Sequence, residues 1–170
     1  LYDARAGSAL RPGLVTDEQG AGFMADGYWR ASGTLACVNL VPGAGVTHAL
    51  SGIAEAWQDS VPLLVLGCGI RQDHPRAYQL HDVDQLAIVA PVTKAAWRAT
   101  TGAGSYPVLR RACAVARAGT PGPVMVEVPI DLYLTKHEVE LSWTPDGPAA
   151  PAPSADDVAR AVQLLHGRRP

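Results

Sequence analysis

Charge is scarce in this 170-residue chain: 18% of its residues are Asp, Glu, Lys or Arg, and the net charge is −2. A balance so close to zero leaves no strong field to draw in nucleic acid or an anionic membrane. Cysteine is scarce too. Cys37, Cys68 and Cys113 are odd in number, far apart, and match no metal-ligand spacing. They read as reduced, buried thiols in a cytoplasm, not as a disulfide framework or a zinc site. No basic-then-apolar leader is present, and no internal repeat is found. Residues 34–54 contain no Asp, Glu, Lys or Arg, a run long enough to raise a membrane span. Pro42, Gly43 and Gly45 break it, and Asn39 and His48 are polar. It reads as a strand, a turn and a helix.

What is present is apolar: 48% of the residues. That suffices for one domain with a sizeable core and argues against disorder. Strand-like runs at 13–16, 35–41, 61–68, 94–98 and 123–128 alternate with helical patterns. The first helix follows Thr16 or Asp17, with Gln19 completing a Thr-x-x-Gln capping box and Gly33 closing it. Its stripe is read as Gly20, Met24, Gly27, Tyr28 and Ala31. The run at 35–41 is apolar enough to be covered on both faces. A helix over 46–59 has Leu50, Ile53, Ala54 and Trp57 inward. A polar loop at 69–82 holds Arg71, Asp73, His74, Arg76 and His81. A short helix at 84–89 stops at Pro91, and a longer one spans 106–118. This alternation predicts an α/β fold, a mainly parallel sheet with helices on both faces. Ligands of such sheets bind outside the carboxyl ends of the strands. The turns at Glu18, 42–45 and 69–82 are expected to share that edge.

Glu18 opens the first helix. A buried carboxylate there can hold a shifted pKa and exchange a proton with a ligand. A first-turn acid favoured by the helix dipole explains it equally. Gly43-x-Gly45 after a strand suggests a dinucleotide fingerprint. His48 replaces its third glycine, however, and the next strand ends in Gly67-Cys68-Gly69 without a ribose-binding acid. A tight glycine turn is the plainer alternative. The histidines and acids near His81 match no zinc pattern and read as a solvated loop, so no metal ligand is assigned.

The chain resembles the N-terminal pyrimidine-binding domain of thiamine diphosphate enzymes of the acetolactate synthase and pyruvate oxidase type. The resemblance rests on Glu18-Gln-Gly-Ala-Gly-Phe-Met-Ala-Asp-Gly-Tyr28, Pro42-Gly-Ala-Gly-Val-Thr-His48 and Gly52-Ile-Ala-Glu-Ala-Trp-Gln-Asp-Ser-Val-Pro-Leu63. It also rests on His81-Asp-Val-Asp-Gln85, Pro91-Val-Thr-Lys94 and Gly119-Thr-Pro-Gly-Pro-Val-Met-Val-Glu-Val-Pro129, in that order. It implies that Glu18 hydrogen-bonds the cofactor's aminopyrimidine and favours the imino tautomer, which then takes the thiazolium C2 proton. It implies that Gly43, Ala44, Gly45 and His48 line the cofactor site, although the family's usual Ser-Gly-Pro-Gly-Ala-Thr-Asn differs here at Pro42, Ala44 and His48. It implies that His81 contacts substrate or cofactor, standing where the family usually has glutamine.

The domains expected are a pyrimidine-binding domain over 1–143 lacking its N-terminal strand, a Pro/Ala-rich linker over 144–153, and the start of a central domain over 154–170. Ser154 with Asp157 caps a helix there, whose Val158, Ala161, Val162 and Leu165 could pack back or open that further domain. The implied partners are a 2-keto acid and the diphosphate-binding domain of a second subunit, in a homodimer or homotetramer. Thiamine diphosphate and Mg2+ are the implied cofactors, the metal held by the absent diphosphate-binding domain. FAD stays open and nothing in this segment supports it. The chain alone would carry half a site, so catalysis by these residues alone is not expected. Acetolactate synthase-like carboligation or decarboxylation is the first reading. A 2-hydroxyacyl-CoA lyase, a benzoylformate decarboxylase-like enzyme and a non-catalytic dimerisation domain are the alternatives.

Overall fold

The computed structural model describes residues 7–73, 79–142 and 152–167. Four parallel strands, β1 (Ala36–Leu40), β2 (Leu63–Gly69), β3 (Ala95–Arg98) and β4 (Val124–Pro129), form one sheet in the order β1-β2-β4-β3. Helices α1 (Glu18–Ser32), α2 (Ala44–Gln58), α3 (Gln85–Val89), α4 (Gly102–Arg117) and α5 (Ala155–Leu165) complete the regular structure, with short 3-10 turns at Ala90–Val92 and Ile130–Tyr133.

Strand alternation divides the core. Leu63 and Val65 of β2 and Met125 of β4 pack with Val46, Ala49, Ile53 and Ala56 of α2, and with Ala25 of α1. Leu64, Leu66, Val124, Val126 and Val128 point the other way and bury Ala112 and Ala116 of α4. Helices therefore cover both faces, as the alternation predicts. Lys94, from the Pro91-Val-Thr-Lys94 motif, donates to the Val115 and Ala118 carbonyls and closes the C-terminus of α4. Gly33 adopts φ 65° at the end of α1, the left-handed closure expected of it.

Several expectations are corrected. Residues 13–16 form no strand and lie mostly exposed. Among the described residues they have no neighbouring strand, and a lone strand leaves its backbone groups unpaired. β1 is an edge strand with Cys37 and Asn39 exposed, so it is covered on one face, not both. Cys37 is consequently an exposed thiol; Cys68 and Cys113 are half-buried. α4 begins at Gly102, four residues before the expected start, because the Thr101 hydroxyl caps it and Pro107 sits inside it. Trp57 is exposed, and α2 instead buries Gly45, Val46, Ala49, Gly52, Ile53 and Ala56.

The inner face of α1 also differs from the predicted stripe. Gly22, Ala25 and Asp26 are buried, whereas Met24 and Tyr28 are exposed. The reason is the crossing with α2. A Cβ built on Gly52 would lie 2.6 Å from the Gly22 carbonyl carbon and 2.7 Å from the Phe23 nitrogen. Backbones that approach this closely leave no room for the large apolar residues. Near the far end of the pair, Arg30 donates to Asp26 at 2.7 Å and to Asp59, the C-cap of α2, at 2.7 Å.

The proposed linker lies outside the described residues, apart from its last two positions. Ser154 accepts from the Asp157 amide at 3.1 Å, as expected of the cap. α5 buries no residue, and Val158, Val162 and Leu165 are exposed. Its apolar stripe does not pack on the described residues.

Candidate functional site

Asp17, in extended conformation, accepts the Gln19 amide at 2.9 Å and caps α1. The cap is thus Asp17, and the Thr-x-x-Gln box does not form. Glu18 becomes the first residue of the helix, where its charge suits the dipole. Its side chain keeps 35% exposure. Within this chain it is half-buried, not the fully buried carboxylate expected.

The turn after β1 brings the second part of the site. Gly43 takes φ 62° and serves as the N-cap of α2, a conformation that favours glycine. Gly45 and His48 are three residues apart and so share one helix face. That face meets Glu18. His48 Nδ1 lies 3.4 Å from Glu18 Oε2. Glu18 Oε1 lies 3.6 Å from where a Gly45 Cβ would be. Ala44 is exposed on the same turn.

His81 is not part of this group. It packs on the other side of the turn, where a Cβ on Gly43 would come within 2.8 Å of the His81 carbonyl oxygen. His81 itself has φ 66°, an uncommon conformation for a side-chain-bearing residue. The predicted residues therefore fall into two sets: Glu18, Gly45 and His48 on one side, Gly43 and His81 on the other.

His81 lines a polar cavity of about 310 Å³ with Gln72, Gln79, Gln85, Arg98 and Glu127. Gln85 is buried and joins two elements. It accepts the Gly43 amide at 3.1 Å and donates to the Cys68 carbonyl at 2.9 Å. This ties the turn at 42–45 to the end of β2. Glu127 is 2% exposed and accepts from Arg98 Nε at 2.7 Å. That bond holds the Arg98 guanidinium above its ordinary pKa. Sequence reasoning missed Gln79, Gln85, Arg98 and Glu127. Only Glu127 carries a sequence signal: an acid inside the run Val124-Met-Val-Glu-Val128 needs a partner if buried. His74 and Arg76 lie outside the described residues.

Among the described residues, ligand atoms of Asp17, Glu18 and His48 come within 4.8 Å of one another. Asp17 already accepts the helix-capping amide, and no metal is assigned there. Chemically, the Glu18 group is a carboxylate with one oxygen toward an imidazole and the other toward Gly45, against which the Val41 side chain packs. Such a carboxylate can accept or share a proton with a flat polar ligand.

The chain is similar in sequence to proteins of known type. The chain is 34% identical over 180 residues to the Probable 2-ketoarginine decarboxylase AruI of Pseudomonas aeruginosa, covering 100% of this chain and 31% of the relative. It is 35% identical over 130 residues to the acetolactate synthase isozyme 3 large subunit of Escherichia coli, covering 76% of this chain and 23% of the relative. The chain thus spans less than a third of these relatives. A solved structure, the Rhodococcus jostii RHA1 thiamine diphosphate-dependent 4-hydroxybenzoylformate decarboxylase, has the same fold, with TM-score 0.75 and 24% identity, covering 88% of this chain and 29% of that one. Among the described residues, no helix is long and apolar enough to cross a membrane. The family described as "Thiamine pyrophosphate enzyme, N-terminal TPP binding domain" matches residues 1–88, more than half of the chain, and the chain belongs to it.

Proposed function

We propose that this chain supplies the pyrimidine-facing half of a thiamine diphosphate site in a longer enzyme that acts on 2-keto acids. The observation that carries this reading is the Glu18 carboxylate set against Gly45 and His48 at the start of α2. The residues present fit the cofactor's aminopyrimidine. The carboxylate is partly exposed, so an oxygen is left to meet a ring nitrogen, while the missing Cβ of Gly45 makes room for the Val41 side chain beside it. Glu18 would hold this ring, with Gly45 and His48 beside it and Gly43 and Ala44 shaping the turn. When bound, thiamine diphosphate supplies the electron sink for cleavage or formation of a bond next to a carbonyl.

Glu18 acts by holding a proton between its carboxylate and a ring nitrogen. Gln85 fixes the turn that carries Gly43, and His81 with the Arg98–Glu127 pair offers polar contacts for a substrate. Acetolactate synthase-like carboligation is the first choice. Simple 2-keto acid decarboxylation is the second, favoured by the match of the whole chain to the 2-ketoarginine decarboxylase relative. Product analysis with a single 2-keto acid separates the two: coupled product for the first, aldehyde alone for the second. Mg2+, a diphosphate-binding domain from a second subunit, a homodimer or homotetramer, a cytoplasmic setting and branched-chain amino acid biosynthesis accompany the first reading.

Glu18→Gln in the full-length protein tests the assignment. It keeps size and hydrogen bonding but removes the ionisable group. Turnover at saturating cofactor should fall by about 10²–10⁴-fold, the usual worth of acid-base assistance. Exchange of the cofactor C2 proton, followed by NMR, should slow in parallel. Unaltered exchange would return Glu18 to a helix-dipole role and favour a non-catalytic domain.

A further inference from the structure

We propose that His48 is a positioning residue for Glu18, an inference that rests on the assignment of Glu18 above. A glutamate on the first turn of a helix has three side-chain torsions and a carboxylate free to rotate. To serve one ring nitrogen it must be held from behind. The structure provides one contact suited to this. His48 Nδ1 lies 3.4 Å from Glu18 Oε2, while Oε1 faces the Gly45 side. The 3.4 Å separation is longer than a formed hydrogen bond; with its proton on Nδ1, the imidazole would close on Oε2 when a ligand orders the site, and leave Oε1 as the oxygen offered to that ligand.

The backbone explains why these two side chains meet. Gly22 lies four residues after Glu18, and Gly52 lies four residues after His48. Gly22 and Gly52 are where α1 and α2 touch backbone to backbone. Residues four apart stack on one face. The Glu18–His48 contact is therefore the next level of the same helix crossing, one turn toward both N-termini. Asp17, the other charged side chain at this level, is occupied as the α1 cap. His48 is 72% exposed on its own helix, so nothing else in the described chain fixes it. Its partner is the carboxylate.

The test uses the full-length protein with thiamine diphosphate and Mg2+. His48→Leu removes the donor. His48→Asn keeps one, since the Asn amide nitrogen sits as many bonds from Cα as imidazole Nδ1. Exchange of the cofactor C2 proton should slow roughly 10- to 100-fold in His48→Leu, the scale of a misplaced catalytic group. It should stay within about 3-fold of wild type in His48→Asn, because the donor is retained. In a Glu18→Gln background, His48→Leu should add no further loss, because the two residues act as a unit.

Equal losses in both His48 variants, an additive loss in the double variant, or wild-type exchange in His48→Leu each overturn the proposal. Wild-type exchange in Glu18→Gln sinks the functional reading itself. A second measurement needs neither cofactor nor a His48 variant. In the cofactor-free protein, 15N NMR should find the His48 proton on Nδ1, moving toward Nε2 in Glu18→Gln. A tautomer indifferent to Glu18→Gln also overturns the proposal.

Discussion

At the scale of single residues, Glu127 shows how one acid alters its surroundings. It is enclosed at the end of β4 with Arg98 as its partner, and a buried carboxylate without one would be strongly unfavourable. Its charge reaches Cys68 across the β2–β4 ladder, where the two residues pair at adjacent registers. Burial, and then the Glu127 carboxylate, push the Cys68 thiol above its ordinary pKa. The thiolate is the species that reacts with alkylating agents. Raising the thiol pKa keeps the proton on sulfur to higher pH, so the alkylation of Cys68 should rise later than that of a free cysteine. Peptide-resolved iodoacetamide labelling from about pH 7 to 10.5 checks this against the unperturbed thiol near about 8.5. Glu127→Gln removes the negative charge and should move the midpoint of Cys68 labelling downward. Glu18 was legible at this scale because motif and helix start coincide. Gln85 was not: a single buried amide that bridges a turn and a strand end leaves no periodic trace.

At the scale of elements, α1 and α2 were found in the sequence, but the face on which α1 is buried was not. Periodicity weights large apolar residues, and Met24 and Tyr28 drew the stripe to the outside. The true inner face is built from Gly22, Ala25 and Asp26, small or polar residues that only a close crossing can use. The same crossing sets where Glu18 stands. Gly52→Ala would put a Cβ 2.6 Å from the Gly22 carbonyl carbon, nearer than the chain tolerates, and the helices must part. Overpacking of this kind costs about 1–3 kcal/mol. The expected outcome is a protein that still folds, with a lower unfolding midpoint in urea and slowed C2-proton exchange. Exchange at the wild-type rate would show that the helix separation does not govern the carboxylate.

At the scale of the whole molecule, the parallel sheet with helices on both faces follows from alternating strand and helix patterns, and four of the five expected strands are present. The fifth, at 13–16, fails for want of a partner, which no local pattern reveals. The division of the candidate site into a Glu18 set and a His81 set was also hidden. It depends on which way successive residues of one turn face: Gly43 toward His81 and Gly45 toward Glu18. Gln85 fastens the turn between the two sets to the end of β2.

The place of β1 at the sheet margin has a practical consequence for anyone handling this chain. One side of β1 is satisfied by β2, and among the described residues no strand takes the other. β3, at the opposite margin, is four residues long and has Arg111 stacked on Trp97, features that discourage pairing. β1 has no charged residue at all: Ala36-Cys-Val-Asn-Leu40. An uncharged margin of this kind invites another copy to add its own strand. The 170-residue chain, purified alone, should scatter more light as its concentration rises. Asn39→Lys, a charge on an exposed position of that margin, should suppress the increase while leaving the helical circular dichroism unaltered.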